Sequence, residues 1–179
     1  MAVIYKDVEQ RETDVMQQER ETIVVGLGDL AVSASPAAVL TCIGLGSCIA
    51  VCAYDNVANV GGMVHIVLPK FHGNNANDYA KFADTGVPLL FKEVIKKGGE
   101  KSRLAVKIAG GAQMTVAPGL RDTFKTGEKN LVQILLILEK EGIGLKAADI
   151  GGNLGRTVKM YIDTGKVTVK TINGTPREI

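Results

Sequence analysis

Cysteine–histidine chemistry has few possible partners in this sequence, because its 179 residues include only two histidines and three cysteines. Every Cys–His pairing can therefore be weighed in turn. His65 lies inside the apolar run Met63-Val64-His65-Ile66-Val67-Leu68, and Cys48 opens a second run, Ser47-Cys48-Ile49-Ala50-Val51. A free thiol titrates near 8.5 and is mostly protonated at neutral pH. An adjacent imidazole that accepts its proton yields a thiolate–imidazolium pair, the usual activated sulfur nucleophile. Just upstream, Gly44-Leu45-Gly46-Ser47 strips the backbone of bulk, so a substrate can approach and backbone N–H groups can face an oxyanion. The chemistry implied is acyl transfer at a carboxamide or ester. Other roles compete with it, since a cysteine or histidine on a strand ordinarily serves core packing. Cys52 reads as core, and Cys42 is ambiguous. A metal site from Cys42, Cys48 and His65 lacks any CxxC or HxxxH spacing.

Positioning this pair requires two neighbouring strands. Leu45–Tyr54 and Gly62–Leu68 are rich in β-branched residues, and Asp55–Gly61 (DNVANVG) between them supplies turn chemistry. A hairpin centred between Asn56 and Val57 places Cys48 directly opposite His65. Side-chain alternation then puts Cys48, Ala50 and Cys52 on one face, across from Met63, His65 and Val67. Around the hairpin the reading is strand (Thr22–Leu27), turn at Pro36, and a polar loop with His72 (Phe71–Asp78). A helix over Tyr79–Lys97 should be kinked or split by Pro88. Next come a strand (Arg103–Ala109), a loop (Thr115–Thr126) and a helix (Glu128–Glu141). That helix has an apolar stripe of Leu131, Ile134, Leu135 and Leu138, Thr126 as N-cap and Gly142 as stop. Leu145–Ile150 reads as a strand, Gly151–Gly155 as a glycine loop, and Arg156–Ile162 with Lys166–Ile172 as a second hairpin. The element order argues for a mixed α+β fold. Residues 1–21 form a polar N-terminal tail and 22–179 one domain.

Composition narrows the function classes. Charged residues make up 22% of the chain and net charge is +2, too near balance for a basic nucleic-acid face. Aromatic content of 4% leaves too few rings for a base-stacking platform. No apolar run reaches the roughly 18 residues of a membrane span, and the N-terminus lacks signal-peptide order. Three cysteines without a secretory signal fit a reducing cytoplasm, so a cytoplasmic location is expected.

Several ordered motifs resemble the chemoreceptor glutamine deamidase (CheD) family. They are Leu45-Gly46-Ser47-Cys48, Tyr54-Asp55, and Gly61-Gly62-Met63-Val64-His65-Ile66-Val67-Leu68-Pro69. Lys81-Phe82-Ala83-Asp84-Thr85 and Lys107-Ile108-Ala109-Gly110-Gly111-Ala112-Gln113-Met114 extend the likeness, followed by Gly127 and Asn130. Asp149-Ile150-Gly151-Gly152-Asn153-Leu154-Gly155-Arg156-Thr157-Val158 completes it, and the whole covers roughly Thr22 to Ile172. The resemblance implies a single-domain α/β sandwich with helices packed outside β-sheets, of the cysteine-hydrolase type shared with toxin deamidases. It implies deamidation of glutamine side chains on methyl-accepting chemotaxis receptors, with Cys48 as nucleophile, His65 as base and no cofactor. The family commonly carries an active-site threonine six positions before the nucleophile. Here Cys42 holds that position and Thr41 is its neighbour, so either is a candidate third member. A CheC-type response-regulator phosphatase is a further implied partner, and a non-catalytic adaptor for it is the alternative function.

Overall fold

The computed structural model describes residues 20–73, 75–113 and 125–179. Residues 1–19 of the expected tail and 115–124 of the expected loop lie outside these. Ten strands form two sheets: β1 (Glu21–Val24), β2 (Leu30–Ser33), β3 (Ala38–Leu45), β4 (Ile49–Asp55), β5 (Val60–Ile66), β6 (Ala105–Gly110), β7 (Leu145–Ile150), β8 (Arg156–Tyr161), β9 (Val167–Thr171) and β10 (Arg177–Glu178). Two α-helices join them, α1 (Ala83–Lys96) and α2 (Thr126–Glu141). One sheet runs β1-β3-β8-β9-β10 and the other β2-β5-β4-β6-β7. Only β1/β3 and β6/β7 pair in parallel; the remaining pairs are antiparallel.

Strand alternation turns these sheets into layers. Leu40, Cys42 and Leu45 of β3 and Val158 and Met160 of β8 pack against Ala50, Cys52, Met63 and Ala109 of the second sheet. The opposite face of that sheet offers Ile49, Val51, Val64, Ile66 and Ile108 to Val87, Leu90, Ile134 and Leu138 of the helices. The fold is thus a mixed α/β sandwich, with both helices outside one sheet. Central strands β4 and β5 are buried on both faces, which is why they read as continuous apolar runs.

Several expectations shift. Leu45–Tyr54 is not one strand, because β3 ends at Leu45 in the first sheet and β4 begins at Ile49 in the second. Pro88 does not split α1, which is one helix from Ala83 to Lys96. Tyr79–Lys81 belongs instead to a preceding 3-10 turn, so Pro88 falls near the helix start, where its missing N–H removes one bond only. In α2 the buried face is Gly127, Asn130, Ile134, Ile137 and Leu138, whereas Leu135 is 40% exposed. Lys125 rather than Thr126 is the N-cap residue, and Gly142 ends the helix in the left-handed region (φ 68°) as expected.

Candidate active site

The β4–β5 hairpin forms, in a different register from the one expected. Ala50 faces His65 and Ile49 faces Ile66, so the turn centres between Val57 and Ala58. The reason is local. Asp55 Oδ1 accepts the N–H groups of Val57 (2.9 Å) and Ala58 (3.2 Å), closing a four-residue turn with Asn59 at φ 51°. The offset is two residues, which preserves parity. Cys48 therefore remains on the face of Ala50 and His65, as a diagonal neighbour of His65 rather than its direct partner. Diagonal positions lie about 7–8 Å apart, within reach of side chains that lean toward each other.

His65 is 3% exposed. Its Nδ1 lies 3.2 Å from the Val25 carbonyl, an acceptor that fixes the proton on Nδ1 and leaves Nε2 as the basic nitrogen. Nε2 has no hydrogen-bond partner among the described residues. The His65 backbone is clasped from the β1–β2 turn: Gly28 N–H donates to its carbonyl (3.1 Å) and its own N–H donates to the Asp29 carbonyl (3.0 Å).

Cys48 is the one cysteine of the three that is not fully buried. Burial raises the Cys52 thiol to about 12 and pushes the Cys42 thiol higher still, so both stay protonated. Burial also raises Cys48, against which its own backbone N–H favours the thiolate. Burial lowers His65, opposed by the Val25 carbonyl and by the Asp29 charge. Both shifts favour a neutral thiol beside a neutral imidazole, rather than the ion pair expected at rest. The backbone around Cys48 is held by the chain at the end of β6 and just after it. Gly111 N–H donates to the Cys48 carbonyl (2.8 Å) and Ala112 N–H to the Gly46 carbonyl (2.7 Å). Gly110 has φ 132°, and a Cβ on it would overlap the Cys48 carbonyl oxygen.

Of the two candidates for a third member, Cys42 shares His65's acceptor, its Sγ lying 3.4 Å from the Val25 carbonyl. Thr41 Oγ1 donates instead to the Val39 carbonyl (3.5 Å) and sits one residue out of phase. The Val25 carbonyl itself escaped sequence reasoning, since a backbone acceptor has no side-chain signature. Arg156, expected as the first residue of the second hairpin, does open a strand, but its buried contacts were not foreseen. It is 5% exposed, donates to the carbonyls of Gly110 and Gly151, and pairs with Asp149 (2.7 Å). Arg177 reaches the other oxygen of Asp149 (2.7 Å). Among the described residues no three His, Cys, Asp or Glu side chains are grouped to hold a metal ion. Nor is any described helix long and apolar enough to cross a membrane.

Fold and site together describe a two-sheet α/β domain with a half-buried thiol just before one strand and a buried imidazole on its neighbour. The family model for CheD chemotactic sensory transduction matches residues 67–171. A probable chemoreceptor glutamine deamidase CheD of Desulfitobacterium hafniense (strain DSM 10664 / DCB-2) is 43% identical over 151 residues, covering 84% of this chain and 94% of that protein. The chemoreceptor glutamine deamidase CheD of Thermotoga maritima is 42% identical over 151 residues, covering 84% of this chain and 92% of that one. This chain belongs to the CheD family. Among solved structures, the Neisseria meningitidis protein NMB0706, family-model DUF152, is similar with a TM-score of 0.47 and 12% identity, over 80% of this chain and 69% of that one.

Proposed function

We propose that this protein is a chemoreceptor glutamine deamidase, with Cys48 as nucleophile and His65 as base. What carries the reading is the half-buried Cys48 thiol, packed against the cluster that holds Ala50, which pairs with His65, whose Nε2 has no partner among the described residues. Membership of a family whose relatives bear that name supplies the substrate. As the receptor glutamine enters, Nε2 takes the Sγ proton and sulfur attacks the carboxamide carbon. The C=O electrons move to an oxyanion, for which the Cys48 N–H is a donor at the thiol. The intermediate collapses with C–N cleavage, the imidazolium giving its proton to the departing nitrogen as ammonia. His65 then removes a proton from water, the hydroxide attacks the thioester, and C–S cleavage releases glutamate while sulfur regains its proton.

The same reading assigns the activity to residues 22–179, a cytoplasmic setting, and the cytoplasmic part of the receptors as substrate. Cys42 takes the third place, beside the carbonyl that orients His65. A CheC-type phosphatase is the proposed protein partner. The test is mass spectrometry of receptor fragments incubated with wild type and with Cys48→Ala. Wild type is expected to turn particular glutamines into glutamates and Cys48→Ala to turn none. Equal conversion by both removes Cys48 from the mechanism. No conversion by either, with phosphatase binding intact in both, favours the adaptor role.

A further inference from the structure

The β4–β5 ladder ends at Ile49 opposite Ile66. Beyond that pair the two chains part like a fork. On one tine the Cys48 carbonyl turns to the Gly111 N–H (2.8 Å), next to β6. On the other, the Val67 N–H turns to the Lys81 carbonyl (2.9 Å), in the 3-10 turn before α1. Asn130 of α2 stands between them, 0% exposed. Its Nδ2 donates to the Ser47 carbonyl (3.3 Å) and to the Val67 carbonyl (3.0 Å). One amide thus grips the residue before the proposed nucleophile and the residue two beyond the proposed base.

The orientation of that amide follows from its neighbours, because reversing it would aim Oδ1 at two carbonyl oxygens. As placed, Oδ1 is buried with no hydrogen-bond partner among the described residues. Around it the helix face is apolar, with Ile134, Ile137 and Leu138 buried alongside. A buried amide with an unused acceptor is disfavoured where an apolar side chain would fit, so stability alone does not select asparagine here. Asn130 also stands on the helix side of the sheet, whereas Cys48 and His65 face the other sheet. It cannot touch the reacting atoms.

We infer that Asn130 is a positioning residue that sets the separation of the Cys48 and His65 strands where their own ladder has ended. The inference rests on the proposed Cys48–His65 chemistry. Displacing reacting groups by about 1 Å can lower a rate about 10²-fold, so a single lost brace at this point has leverage. The variants to compare are Asn130→Ala, which removes both bonds, and Asn130→Asp, which keeps the shape but offers acceptors to two carbonyls. Ile137→Ala, on the same buried face and away from the fork, serves as the packing control.

Two readings are taken: kcat and KM on receptor fragments, and the pH dependence of Cys48 alkylation by iodoacetamide. Both Asn130 variants are expected to lose about 10²-fold in kcat with KM little changed. Their alkylation profiles should shift toward that of His65→Ala. Ile137→Ala should melt lower yet keep the wild-type kcat and profile. If Asn130→Ala behaves like Ile137→Ala, the inference is overturned. Should Asn130→Ala fail to fold, the same readings on Asn130→Asp decide it. Absence of receptor deamidation by wild type would instead strike the functional reading, while the alkylation profiles would still judge Asn130.

Discussion

Burial moves the two proposed reacting groups in opposite directions, and both toward neutrality. His65 must be neutral to accept the thiol proton, and its pKa lies below the ordinary 6.5 because burial disfavours imidazolium. The acid limb of deamidation should therefore fall below pH 6.5, measured as initial rate on receptor fragments across pH. A limb above that value would show that burial does not control this imidazole. Linkage has the same sign. A depressed folded-state value contributes stability above the unfolded imidazole range, and that contribution is lost as pH falls through the folded value. Burial raises the Cys42 and Cys52 thiols, which keeps them protonated and disfavours either as a nucleophile.

At the scale of elements, the glycine that ends β6 is the tightest joint. Gly110→Ala should lower deamidation sharply as well as lowering the melting temperature. A Cβ there meets the Cys48 carbonyl oxygen, and φ 132° is a conformation other residues rarely adopt. Wild-type activity in that variant would show that the carbonyl can move without disturbing the thiol.

Much of this framework was legible in the residues. The turn chemistry of Asp55–Gly61 revealed the β4–β5 hairpin, and period-two alternation gave the face shared by Cys48 and His65. Register was not legible, because it depends on Asp55 closing a four-residue turn through its side chain. Nor did an apolar run from Ala38 to Asp55 show where the chain leaves one sheet for the other. Asn130 was visible as part of the family resemblance, but its burial was not legible, for a related reason. A polar residue on an amphipathic helix reads as solvent-facing, yet Asn130 takes the buried place while Leu135 is exposed. An asparagine one turn before Ile134, on the same stripe, was the available signal.

For the molecule as a whole, β4 is the strand through which everything is connected. At its far end Tyr54 Oη donates to the Ile162 carbonyl (2.9 Å), tying the second sheet to the chain just after β8. Asp55 there is fully buried, bonded to the Glu100 N–H (2.8 Å) and paired with Arg103 (2.7 Å), which holds its carboxyl well below the usual range. At its near end the strand opens into the fork at Cys48. One end is clamped by an ion pair on the buried Asp55 carboxylate and a cross-sheet bond, the other braced by an amide and a few loop contacts. Openings of small extent should begin at the weaker end. Warming should consequently silence the enzyme several degrees before the molecule melts, with activity returning on cooling. Paired activity and circular-dichroism scans would reveal that gap, and coincident curves would mean the two ends let go together.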